Sequence, residues 1–165
     1  MRRPSGRRSA VQAMFTLAVL VSVVVMLGAA ASAAAAVPTC HGITATIVGT
    51  GGPDQIIGTP GDDVIVAQGG ADQIQGLAGN DLICAGRNAD QVDGNGGDDT
   101  IFGGRGGDQL SGGPGNDTDY GGRGGDQLFG NRGSDGLAGG ADIDLGSGGL
   151  EIDLCKSVEL ARSCE

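Results

Sequence analysis

The sequence predicts an all-β protein, a right-handed parallel β-roll with two nonapeptides per coil and short terminal caps. Three observations predict it. From Gly49 onward the chain divides into blocks of nine without an insertion, and Asp stands at one fixed place in each block. Two positions after the Asp, nine of eleven blocks carry an aliphatic residue. The surroundings of the Asp alternate from block to block, so the true period is eighteen residues.

The Asp column runs through Asp54, Asp63, Asp72, Asp81, Asp90, Asp99, Asp108, Asp117, Asp126, Asp135 and Asp144. The aliphatic column runs through Ile56, Ile65, Ile74, Ile83, Val92, Ile101, Leu110, Leu128 and Leu137, with Asp119 and Gly146 as exceptions. Strand side chains alternate between faces, so this residue points inward and its two neighbours point out. Nine aliphatics are enough to line a narrow interior. Asp119 stands where an inward aliphatic belongs, and the sequence offers no account of it beyond a local distortion or an unusual polar contact. Two positions before each Asp the residue is Gly, except for Asn88 and Asp142. That place reads as a tight turn, and Asn tolerates positive φ nearly as Gly does.

The longer period shows in the residue after Asp, which is Gln at 55, 73, 91, 109 and 127. It also shows in the residue before Asp. The Gln-bearing blocks have Pro53, Ala71, Ala89, Gly107 and Gly125 there, and the others have Asp62, Asn80, Asp98, Asn116 and Ser134. Arg87, Arg105 and Arg123 recur at the same step. The simplest structure with this symmetry is a coil of two nonapeptides, each giving one turn and one short strand, so that two parallel sheets face each other. One sheet shows the Gln ladder to solvent. The other shows Val64, Val66, Leu82, Cys84, Thr100, Phe102, Thr118 and Tyr120, a more apolar surface that calls for partial cover. The segment 43–48 (ITATIV) is expected to pair at the end of the roll, and the Arg set to offset nearby carboxylates.

Ahead of the repeat, Arg2, Arg3, Arg7 and Arg8 precede a nearly unbroken apolar stretch from Val11 to Ala31 and an Ala-rich zone. That order reads as a signal peptide over residues 1–36, with cleavage near Ala36 and Ala33 as the alternative. An uncleaved anchor is the competing reading, since roughly 20 apolar residues span a bilayer. The small-residue zone weighs against it, and the context of Arg7-Arg8 fits a twin-arginine signal poorly. Residues 37–48 then form an N-terminal cap strand, 49–147 the roll and 148–165 a C-terminal cap. Without residues 1–36 the chain keeps six basic residues and all twenty acidic ones, a net charge of −14. Its aromatics are Phe102, Tyr120 and Phe129 alone. So much charge and so little apolar bulk normally predicts disorder, and only the regularity of the repeat argues otherwise.

Cys40, Cys84, Cys155 and Cys164 are an even number in a chain read as exported, so two disulfides are expected. Three pairings are formally possible. We prefer Cys40 with Cys84, because a strand at 43–48 brings Cys40 near the outward Cys84, and Cys155 with Cys164, which stand nine apart in the closing cap.

The blocks Gly103 to Ser111 (GGRGGDQLS), Gly112 to Tyr120 (GGPGNDTDY) and Gly121 to Phe129 (GGRGGDQLF) carry the pattern G-G-x-G-x-D-x-U-x, with U aliphatic in the first and third. They closely resemble the hemolysin-type RTX calcium-binding repeats, and the resemblance covers about residues 49–147. An export signal followed by little except repeats is similar to the small exported actinobacterial members of that family. The resemblance implies Ca²⁺ between turns stacked one coil apart, each ion shared by repeats two blocks apart. It implies one row of ligands through Asp54, Asp72, Asp90, Asp108, Asp126 and Asp144, and another through Asp63, Asp81, Asp99, Asp117 and Asp135. Six residues enclose five gaps and five enclose four, so nine ions is the ceiling. Blocks from 94 to 135 match best. The block AGRNADQVD lacks two glycines, and GGADIDLGS departs at Asp142 and Gly146, so Asp90 and Asp144 are the weakest expected ligands.

The chemistry agrees with that implication. Ca²⁺ takes six to eight oxygens from carboxylates and carbonyls, and a Gly-rich turn closed by Asp supplies both. Stacked carboxylates repel one another and oppose a compact state. The expectation is a chain that stays unfolded in calcium-poor cytosol and orders after export, with binding energy becoming folding energy.

Other functions fit less well. His41 is the only His, and no nucleophile motif or acid/base pair stands outside the Asp column, so no enzyme is expected. A toxin would need a long apolar domain, and the charge disfavours nucleic acid. An ice-binding face lacks regular outward Thr rows. The alternative is an adhesion-like surface or matrix interaction module that uses the calcium-stabilised roll as a rigid scaffold, with a partner the sequence does not name. Either way the chain is expected to be extracellular, in solution or at the cell surface, with no membrane contact after signal cleavage.

Overall fold

The computed structural model describes residues 36–150, 153–158, 160–162 and 164, and the segment read as a signal peptide lies outside them except for Ala36. The described residues form strands and no helix. Thr39–Cys40 (β1) and Ile43–Thr44 (β2) make an antiparallel hairpin, turned by His41 and Gly42 at φ 48° and 87°.

All later strands alternate between two seven-stranded parallel sheets. One holds β3 (Ile47–Val48), β5 (Val64–Val66), β7 (Leu82–Arg87), β9 (Thr100–Arg105), β11 (Thr118–Arg123), β13 (Gly136–Ala141) and β15 (Leu154–Lys156). The other holds β4 (Gln55–Ile57), β6 (Gln73–Ala78), β8 (Gln91–Gly96), β10 (Gln109–Pro114), β12 (Gln127–Arg132), β14 (Leu145–Gly149) and β16 (Leu160–Arg162). Neighbours within a sheet are every second strand of the chain, which is the parallel β-roll with two blocks per coil. Residues pair with the residue eighteen later, as Gln73 with Gln91 and Thr100 with Thr118. The β14–β16 pair departs from this, with Leu145 opposite Leu160, an offset of fifteen.

The interior is one aliphatic layer thick. Ile65, Ile83, Ile101, Leu110 and Leu128 have no exposed surface, and Ile74, Val92 and Leu137 almost none. The next inward position on each strand is Gly or Ala, so the two sheets close tightly around the aliphatic column. Asn88 and Asp142 adopt positive φ, 73° and 81°, as the glycines at the same place do from Gly70 to Gly133. The Gln ladder is exposed throughout.

Both preferred disulfides are formed, Cys40–Cys84 and Cys155–Cys164. The first pins the hairpin over the apolar outer face of the β5–β7 sheet. There Val66 is buried, His41 stacks on Phe102 at 3.8 Å, and Phe102 stacks on Tyr120 at 4.8 Å. Of the segment 43–48, Ile47–Val48 joins the roll as a strand and Thr46 donates its N–H to the carbonyl of Val64, while Ile43–Thr44 is used in the hairpin. At the other end, residues 148–165 stay in phase longer than their sequence suggests. β15 pairs with β13 at the regular offset, and Cys155 occupies the inward column after Leu137. The gap left by Gly146 is filled by the side chain of Val158.

Candidate metal centres

Each turn ends on an Asp whose side chain folds back beneath it, and the coil repeat stacks these side chains in two rows. In one row the backbone N–H of Asp54 donates to Oδ1 of Asp72 at 2.8 Å, and Asp72 donates to Asp90 at 2.9 Å. The row continues from Asp90 to Asp108, Asp108 to Asp126 and Asp126 to Asp144, each at 2.9 Å. In the other row Asp63 donates to Asp81, Asp81 to Asp99, Asp99 to Asp117 and Asp117 to Asp135, each at 2.8 Å. All eleven Asp of the sequence column are thus brought together in the two rows expected. Asp90 and Asp144 hold the same places as the rest despite their irregular blocks.

A twelfth residue joins them. Asp153 is fully buried, and its Oδ1 accepts the N–H of Asp135 at 3.0 Å. The signal for it was present, since Asp153 stands nine after Asp144 in a block, GGLEIDLCK, that still opens on Gly-Gly. Glu151 where the repeat has Gly and Cys155 where it has an aliphatic residue hid it.

While Oδ1 is used between coils, Oδ2 of Asp72, Asp81, Asp90, Asp99, Asp108, Asp117, Asp126 and Asp153 is buried with no hydrogen-bond partner. An orphaned buried carboxylate oxygen is costly unless it is neutralised by a proton or met by a cation. Glycine leaves the room. A Cβ placed on Gly103 would lie 2.6 Å from Oδ2 of Asp108 and 2.8 Å from the carbonyl oxygen of Gly121, one coil further on. Oxygens from two coils therefore converge on one small space. Gly76, Gly94, Gly121 and Gly130 stand in equivalent cradles, facing Asp81, Asp99, Asp126 and Asp135. At Ala67 and Ala85 a methyl is already there, which narrows the cradles of Asp72 and Asp90. The donor set is anionic, all-oxygen and drawn from carboxylates and carbonyls, so these residues fit a hard divalent cation such as Ca²⁺.

The electrostatics of the bare rows point the same way. Burial pushes Asp90, Asp99, Asp108 and Asp126 up to about 6. The N–H each accepts works against that, and the carboxylate one coil earlier adds to it. Asp117 is pushed up to about 7 by the same causes. Asp63 differs: burial raises it, but hydrogen bonds from Thr59 and Thr46 outweigh burial and hold it below the usual value.

Asp119 lies inside the roll, between Ile101 and Leu137 of the neighbouring strands, with neither carboxylate oxygen hydrogen-bonded. Burial raises it well above the ordinary range, and the nearby Asp117, Asp135 and Asp99 raise it further. It takes part in neither row.

Residues 48–83, 85–119 and 111–146 match the model of a family described as the RTX calcium-binding nonapeptide repeat, four copies. No curated protein sequence matches the chain.

Proposed function

Because the chain belongs to the RTX calcium-binding nonapeptide repeat family, matched over more than half its length, we propose that it is an exported protein whose roll is drawn together by Ca²⁺ entering its turns. Calcium binding by the β-roll is the property the repeats carry. The eight buried Oδ2 atoms without a protein partner are the observation that supports the further step from binding to folding.

In this reading the ligands are Asp54, Asp63, Asp72, Asp81, Asp90, Asp99, Asp108, Asp117, Asp126, Asp135 and Asp144, with Asp153 extending the second row. Two rows of six raise the ceiling from nine ions to ten. Bound calcium supplies positive charge between carboxylates that otherwise repel one another. The chain's own residues do the rest. From Asp72 onward Oδ1 of each Asp holds the preceding coil through a backbone N–H, Oδ2 faces the cradle, and glycine keeps most of the cradles open. Extracellular calcium modules bind at about 10⁻⁴ to 10⁻³ M, so the roll is expected to order after export rather than in the cytosol.

Metal content by mass spectrometry, together with far-ultraviolet circular dichroism before and after chelation, tests this reading. Several equivalents of calcium and a strand signal that collapses with chelator are expected. A strand signal indifferent to chelator would falsify it.

A further inference from the structure

Arg87, Arg105 and Arg123, which the sequence led us to expect beside carboxylates, make no ion pair among the described residues. They sit in register on β7, β9 and β11, Arg87 beside Arg105 and Arg105 beside Arg123. All three are exposed, and among the described residues none of their guanidiniums has an ion-pair or hydrogen-bond partner. Together they form one wall of an open groove of about 590 Å³ whose floor is Gly86, Gly104 and Gly122. Each floor glycine has φ between 108° and 119°, and a Cβ on Gly104 or Gly122 would strike the carbonyl of the glycine one coil before. The floor is therefore bare backbone. These are three of only six basic residues after position 36, in a stretch carrying twenty acidic ones.

We propose that this groove binds an extended acidic polysaccharide carrying one carboxylate per sugar ring. Three arginines in line, on strands about 4.8 Å apart, exceed what one small anion can engage. They call for a polymer whose charges repeat near the coil spacing, and a sugar ring in an extended chain advances by close to that distance. Guanidinium pairs with a carboxylate through two parallel hydrogen bonds, and a floor without side chains lets a ring lie close. An acidic peptide strand fits less well, since its same-face side chains repeat at about 6.8 Å. Single-stranded nucleic acid is bound by aromatic platforms, and no aromatic side chain lines this groove.

The inference rests on the calcium-built roll. Each Arg stands three residues before an Asp of the first row, Arg105 before Asp108 and Arg123 before Asp126. The ladder is thus in register only when those turns are stacked. Polysaccharide binding then requires calcium, and by linkage the polysaccharide tightens calcium binding in return.

The test uses the full chain, expressed with its own N-terminal segment in a secreting host, and short galacturonate oligomers that do not gel with calcium. At fixed calcium, calorimetry is expected to show salt-sensitive binding. It should weaken by about tenfold or more in R87Q/R105Q/R123Q, less in R105Q, and by no more than about twofold in R132Q, whose Arg lies on the other sheet. Circular dichroism of each protein in calcium keeps loss of the groove distinct from loss of the roll. If the triple variant does not fold, R105Q against R132Q decides. The proposal fails if folded wild type does not bind the oligomer. It also fails if the Arg variants bind as well as wild type, as calcium bridging between two acidic partners would give, or if an oligonucleotide or acidic peptide of equal charge binds more tightly.

Discussion

The first coil and the middle of the roll place the same carboxylate in the same turn and satisfy it differently. In the first coil Thr50 and Thr59 precede Asp54 and Asp63 by four residues. The backbone N–H of Thr50 donates to Oδ2 of Asp54 at 2.6 Å and that of Thr59 to Oδ2 of Asp63 at 2.7 Å, and both hydroxyls add a second bond. In the middle that place is taken by Gly104, Gly113 and Gly122, at φ near 110°. There Oδ2 of Asp108, Asp117 and Asp126 receives nothing from the protein. One region is closed by its own donors and the other waits for a cation. The difference teaches that carboxylates lacking a protein donor are not spread evenly along a uniform repeat but begin where threonine gives way to residues of positive φ, first Gln68 and Leu77 and then mostly glycine.

Complete chelation is the harshest way to probe that contrast. We expect near-total loss of strand signal, with amides of β9 to β12 losing exchange protection at lower chelator than those of β4 and β5. Simultaneous loss everywhere, or earlier loss in the first coil, would erase the distinction.

Acid comes next. The middle carboxyls have folded-state values near 6 to 7, above the ordinary 3.8, so the metal-free folded form binds more protons than the unfolded chain between about pH 4 and 7. Stability of the bare roll therefore falls as pH rises through that window and recovers as pH falls. Calcium competes with those same protons. One unit below a value of 6 each such carboxyl weakens binding by about tenfold, so two per ion give about a hundredfold. Calorimetric calcium titrations at pH 7.5 and 5 are expected to show the loss at the middle sites, while Asp63, held low by Thr59, keeps its charge.

Single substitutions sharpen the comparison further. Asp108→Asn keeps the acceptor for the preceding coil and removes the charge, and should lower affinity at its sites by about tenfold, whereas Asp54→Asn, at a carboxylate that Thr50 already holds, should lower it by only about twofold. Calcium titration of the two variants side by side measures this. Asp119→Leu should act in the opposite direction and more weakly. Replacing an unpartnered buried carboxyl by the residue type of its column is expected to stabilise the calcium-loaded roll by about 1 kcal/mol, read from urea denaturation at saturating calcium.

Much of this was legible before any coordinates, because in a coil every neighbour of a residue is fixed by counting. The two Asp rows, the Gln ladder and the inward column all follow from a period that never slips between Gly49 and Ser147. The disulfides followed from the same count, since outward Cys84 lies next to where a preceding strand must cover the sheet. What could not be counted was missed. The N–H and hydroxyl of Thr50 and Thr59 reach Oδ2 only because the first turns are not left-handed, which spacing does not reveal. Val158 fills the hole at Gly146 from a coil shortened to fifteen residues, where the period no longer applies. Asp153 was in phase but dressed in the wrong neighbours.

The eighteen-residue register also restricts how such a molecule changes its length. Excising nine residues from the middle would exchange the two faces for everything that follows and lay a Gln strand against a Thr strand. Excising eighteen, such as Gly103 through Tyr120, would join Phe102 to GGRGGDQLF in place of the nearly identical GGRGGDQLS and disturb no pairing. Size here is quantised, so unequal recombination between near-identical segments supplies ready-made variants taller or shorter by whole storeys, each able to close with the same two ends.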